Sequence, residues 1–559
     1  MRRRVLGVVI AAVLALTGCA TFPEDGPVVR GIEGAPEPEA ISLVAENPQP
    51  GDSPEQIVRG FLAGAAAGTT DDFTVAKEYL TEAAASQWLP QEEVTVYATS
   101  ESLEVEAVED DQVQVQVSVA GTVDAGGVYT PADPGAESTF EFELVQDARD
   151  QWRISDLADG VLASEVVFGS QYRQVPLYFL THDASTLVPD TRWYPQRNAP
   201  TSAIRGLLQG PVEWLEAGVR TAVPAETSLS YGAVTVVDGT AEVDLSPDVL
   251  AADTTARGLL RSQIEETLVR VPQVQRVEIA VDGVAMDLPE SSSVEVDPPV
   301  GRWPTVLDTN EATLGTFSSS GVTPLPEAVD LSGYDVQALA LGYQQEPPVM
   351  LAGPDELLTV PTEDTDAELL HRGSQLVRPS YDREGWIWTG AQDNDGELAV
   401  VRPDQTATAL PVDGLAGTEL AGLRVSRDGA RVALMFDDDG VFSVEVHAVV
   451  RDETGTPTHL AQAVQVAPTL RSATDIVWVD EQTIAVLGTS VVGDGPTVHM
   501  VTVGGRTEAL PPVSDAEAIA SGRGDRQLYV ITAEGRLLAR SGLGWRGVAA
   551  DLAVPAFPG

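Results

Sequence analysis

Apolar positions follow three different periods along the chain. Behind Asp52, Ser53 stands as a helix N-cap with Pro54 at the first helical position, and Ile57, Phe61, Leu62 and Ala65 follow at helical spacing. A second amphipathic stretch, about 73 to 88, predicts a helix stopped by Pro90. The period then changes to two. Val113, Val115, Val117 and Val119 alternate with polar residues, and Phe140, Phe142, Leu144, Trp152 and Ile154 continue the pattern. Helices first and an antiparallel sheet after predict an α+β domain over residues 51–171.

A second α+β unit is predicted over residues 172–288. It opens on the strand Val175-Pro176-Leu177-Tyr178-Phe179-Leu180 and continues with a helix through Ala203-Ile204-Arg205-Gly206-Leu207-Leu208-Gln209. A hairpin through Asp238-Gly239 leads into Ala241-Glu242-Val243-Asp244-Leu245-Ser246, followed by a helix at about 254–270 and a strand at 274–281 closed by Asp282-Gly283. Residues 289–304, rich in Pro and Ser, read as a linker.

Beyond the linker the chain repeats itself. Polar turns precede apolar strands at Val349, Trp386, Val432, Ile484 and Leu528, spaced by 37, 46, 52 and 44 residues. That is the period of a four-stranded propeller blade. The pattern predicts a β-propeller over residues 305–559 with five blades visible, residues 305–330 completing or closing the ring. Trp386 and Trp388 share one strand face and are expected to pack between blades rather than line the axis.

The N-terminus carries a different signal. Arg2, Arg3 and Arg4 precede a short apolar run from Val5 to Thr17, then Gly18 and Cys19. A run this short suits a secretory signal rather than a membrane span. Leu16-Thr17-Gly18-Cys19 resembles a bacterial lipobox, which implies cleavage between Gly18 and Cys19 and an N-palmitoyl, S-diacylglycerol cysteine at position 19. Several acyl chains give lasting attachment to a membrane. Residues 19–50, with six prolines and acids far outnumbering the lone Arg30, read as an extended stalk.

Composition narrows the chemistry. With 85 Asp+Glu against 33 Lys+Arg the net charge is -52, a field that excludes nucleic acid as a partner. Removal of the three N-terminal arginines takes it to -55. One Cys and five scattered His leave no zinc cluster, disulfide or metal site, and no cofactor motif occurs. No G-x-S-x-G nucleophile motif is present, so no catalytic residue is assigned. His182-Asp183 is expected as a solvated loop, and Asp244 as a turn acceptor. Asp393-Asn394-Asp395-Gly396 and Asp437-Asp438-Asp439-Gly440 read as hairpin turns rather than calcium loops. Arg523-Gly524-Asp525 falls in the turn slot of a blade repeat.

Three resemblances give these units names. Residues 51–171 resemble the NTF2/cystatin-like superfamily in their pattern of elements. The LLQGP, TAVP, AEVDLS and VEIAVDG segments of residues 172–288 resemble the GerMN domain. Lipobox, stalk, α+β domain, GerMN domain and propeller, in this order, resemble the LpqB lipoprotein family of actinobacteria. That resemblance implies a non-enzymatic accessory of the MtrA–MtrB two-component system, with the extracytoplasmic domain of the sensor histidine kinase as partner, affecting cell wall and division. The residues themselves leave open an envelope glycan or peptidoglycan binder or hydrolase, since propellers host these functions too.

Overall fold

The computed structural model describes residues 46–559 except 71, 99–102, 287, 290–293, 394 and 404–406. Leu16, Thr17, Gly18, Cys19 and the stalk up to residue 45 lie outside the described residues.

The first helix, Pro54–Ala67, starts where its sequence says. Ser53 Oγ accepts from the Gln56 amide while Gln56 Oε1 accepts from the Ser53 amide, so each side chain satisfies the other residue's otherwise unpaired amide. The predicted helix at 73–88 is instead two short helices, Thr74–Glu78 and Glu82–Gln87. The break has a long-range cause: Ile154 donates its amide to the Tyr79 carbonyl and accepts from the Thr81 amide, pulling Leu80 into a bridge. Thr81 then caps the second piece through its hydroxyl.

The helices pack on a seven-stranded sheet whose centre is the 13-residue strand Gln112–Asp124. Its first half pairs with Glu137–Gln146 and Glu104–Glu109; its second half pairs with Glu93–Tyr97 and Tyr129–Pro131. One strand serving two sets of neighbours forces the sheet to curl around the first helix. Phe61 sits in that curl, edge-on to Trp88 at 5.1 Å and to Phe142 at 6.0 Å.

The second unit holds a sheet of Thr235–Val237, Thr240–Leu245, Arg276–Val281 and Val284–Ala285. Asp238-Gly239 and Asp282-Gly283 both turn with positive φ, as two-residue hairpins require. Asp244 Oδ2 accepts from the Gly283 amide at 2.7 Å and so holds the second turn. Apart from this sheet stands a hairpin of two nine-residue strands, Tyr172–Leu180 and Leu187–Pro195, buried along most of its length. Helices Ala199–Gln209 and Thr254–Val269 cover its inner face through Ile204, Leu207, Leu260 and Ile264.

The propeller has six four-stranded sheets among the described residues. Blade 1 takes three strands from Thr305–Asp308, Thr313–Ser318 and Gly321–Pro324, and its innermost strand from Leu552–Ala556 at the other end of the sequence. Residues 305–330 therefore close a ring of six. Blades 2 to 6 begin at Val336, Ser380, Glu419, Leu470 and Ala516. The anchors Val349, Val432, Ile484 and Leu528 each lie on the second strand of a blade, and Trp386 lies just before one. Trp386 and Trp388 pack against Leu420, Leu423 and Val432 of the next blade, between the sheets as expected.

Candidate functional sites: the GerMN–propeller seam and the propeller axis

Strand alternation puts the turns between first and second strands, and between third and fourth, at one end of every blade. The hairpin of the second unit docks on that end, over blades 3 to 5. Tyr178, fully buried, donates its hydroxyl to Glu481 Oε1 at 2.5 Å, and Arg270 approaches the same carboxylate at 3.6 Å. Trp193 Nε1 donates to the Gly504 carbonyl at 3.0 Å. The first unit joins the same seam, because the Trp193 amide donates to the Gly127 carbonyl and Arg506 lies over the Phe168 and Trp193 rings at 5.1 and 5.5 Å.

At one edge of the seam is a cavity of about 360 Å³ walled by residues of both domains. His182 lies in a loop as expected but is only partly solvated: its ring Nδ1 lies 3.4 Å from Glu384, with 21% of the side chain exposed. Crossing the seam removes water from both groups. Burial pushes Glu384 up to about 7, against the pull of Arg451 and helped by Asp382 and Asp183. Burial likewise lowers His182. Beneath them Arg451 and Asp382, 2% and 0% exposed, pair at 2.7 Å, and Asp382 also accepts from the Trp388 indole at 3.0 Å and two backbone amides.

The linker is also part of the seam. Residues 289–304 are expected to pack little, yet the Leu187 amide donates to the Glu295 carbonyl, the Glu295 carboxylate meets Arg383 at 2.8 Å, and Asp297 takes both Arg427 at 3.4 Å and Arg523 at 3.1 Å. Arg523, in the Arg523-Gly524-Asp525 turn, is thus committed within the chain.

The second site is the axis itself. Inner strands begin at the end of the propeller that the GerMN domain leaves open, and there a cavity of about 700 Å³ is walled by Asp335, Glu517, Glu534 and Asp551 with Gln337, Gln392 and Thr474. It narrows at Arg378, beyond which a cavity of about 50 Å³ holds Arg424, Asp475 and Tyr343. Arg424 donates to the carbonyls of Ile476 and Pro379, and its remaining nitrogen is 3.8 Å from Asp475. Among the described residues no group of three or more His, Cys, Asp or Glu is placed to hold a metal ion.

Sequence reasoning missed Glu384, Arg451 and the axial arginines. The turn repeat did hold a signal: Asp382, Asp428 and Asp480 occupy equivalent turns and each accepts from backbone amides two or more residues on. No local pattern says which turns face the seam.

Known proteins are similar to this chain in sequence over most of its length. A family pattern described as the lipoprotein LpqB N-terminal domain matches residues 47–169, one described as sporulation and spore germination matches 176–287, and one described as the lipoprotein LpqB beta-propeller domain matches 313–558. The chain is similar to the LpqB lipoprotein family over most of its length. Lipoprotein LpqB of Cutibacterium acnes is 28% identical over 538 residues, 90% of this chain and 89% of that protein. Lipoprotein LpqB of Thermobifida fusca is 28% identical over 587 residues, covering 90% and 91%. The first GerMN domain of the sporulation protein GerM from Bacillus subtilis is 21% identical with a TM-score of 0.19, covering 22% of this chain and 96% of that one. The names of these relatives imply a membrane-anchored lipoprotein. Among the described residues no helix is long and apolar enough to cross a membrane.

Proposed function

We propose that the chain is an extracytoplasmic accessory, held on the membrane by lipid on Cys19, that binds the extracytoplasmic domain of an MtrB-like sensor histidine kinase and bears through it on cell wall and division. It acts by binding rather than catalysis. One observation carries this reading: the GerMN hairpin is buried against one end of the propeller, so the three folded units present a fixed surface whose opposite, acidic end stays open to a partner. A rigid surface loses little entropy on association, which favours a protein partner over a substrate that must be enclosed. The lipid anchor would confine both proteins to one membrane and raise their effective concentration.

Crosslinking in intact cells, followed by identification of the captured proteins, tests the reading. A kinase ectodomain crosslinked to the wild-type chain supports it; crosslinks only to glycan-bearing material contradict it.

A further inference from the structure

The axial cavity has an arrangement that the family assignment does not explain. Arg378 stands at its waist, partly buried, and its guanidinium has no hydrogen-bond or ion-pair partner among the described residues. Arg424 lies close enough for the two like charges to oppose each other. The nearby carboxylate, Asp475, is already engaged: Oδ1 accepts from the Ile476 amide at 3.0 Å and Oδ2 from the Ile519 amide at 2.9 Å. One carboxylate between two guanidinium groups leaves a net positive charge at the waist, and a guanidinium fork left free matches a carboxylate in two parallel hydrogen bonds.

The mouth outside has the opposite character. Asp335, Glu517, Glu534 and Asp551 are exposed around it. A free dianion would be repelled there, whereas a ligand carrying amines behind an anionic tip would be attracted at both levels. A volume of about 700 Å³ falls within the range of small-ligand sites.

We propose that the propeller axis binds the free carboxyl terminus of a short amine-bearing peptide, the carboxylate on Arg378 at the waist and the amines against the acidic mouth. The site opens on the same end of the propeller that is offered to the proposed partner, but the peptide is titrated with no partner present, so either reading can fail alone.

The test is calorimetric titration of the full-length lipoprotein in detergent with the tripeptide Ala-Lys-Ala, its carboxamide, acetate and inorganic phosphate. The free acid should bind, and amidation should weaken it about tenfold or more, as loss of a charge-assisted pair does. Arg378→Gln should weaken the free acid by a similar factor and leave the carboxamide unchanged, with its melting temperature showing that the ring still closes. Glu517→Gln combined with Glu534→Gln should weaken Ala-Lys-Ala more than Ala-Ala-Ala. Equal binding of acid and amide, an unaffected Arg378→Gln, acetate or phosphate binding as tightly as the peptide, or no peptide binding would each overturn the proposal.

Discussion

Glu384 makes the strength of the seam depend on pH. A free glutamate titrates near 4.5 and Glu384 near 7 in the folded seam, so its contribution is fully present below the lower value and is lost as pH rises through the upper one. His182 runs the other way: burial lowers it, and its contribution is lost as pH falls. Asp183, Asp382 and Arg383 beside the pair on its own turns, and Glu295, Arg402, Arg451 and Asp452 from other elements, stay in place when only Glu384 is changed. The Glu384→Gln protein should therefore be close to the parent in stability at pH 5 and more stable at pH 8, by at most about 3 kcal/mol of unfolding free energy and less for the solvent that still reaches the group, with a correspondingly higher melting temperature. Parallel melting curves across this range would contradict the assignment. Asp382 is a different case, because its pair is fully enclosed. Asp382→Ala leaves Arg451 charged and buried with the Trp388 indole unpaired, and chemical denaturation should show a loss of about 3–5 kcal/mol.

At the scale of elements, the legible parts were those whose causes are local. The Pro54–Ala67 helix follows from a capping box and an apolar stripe within a few residues of each other. The break in 73–88 depends on Ile154, and the closing strand of blade 1 pairs Thr305 with Ala556, so neither cause is near in sequence. The strand Leu187–Pro195 was illegible for another reason. It buries Asp190 and Arg192, which satisfy each other at 2.8 and 2.9 Å, and it contains two prolines, so it reads as a loop although it lies at the seam. The seam was hidden for the same reason, since its residues come from turns whose sequences resemble exposed ones. Because hairpin and linker are both tied to the propeller, calorimetry should show the GerMN domain and the propeller unfolding in one transition. Two resolved transitions would mean that the seam contributes little.

At the scale of the whole molecule, the anchor and the charge set how a partner is met. Cys19→Ala should leave the folded units intact and move the protein from the membrane to the soluble fraction, since the lipid proposed on this cysteine is what holds it; sedimentation with membranes after a high-salt wash would contradict this. The net charge of -52 favours a partner with a basic surface and should accelerate encounter more than it slows release. The most direct measurement of the central claim is surface-plasmon binding of a kinase extracytoplasmic domain to the full-length lipoprotein over a series of salt concentrations. The account predicts binding whose association rate falls most between low and physiological salt, where the screening length shrinks to about 8 Å, while dissociation changes less. Absence of binding at every salt concentration, or an association rate indifferent to salt, would contradict it.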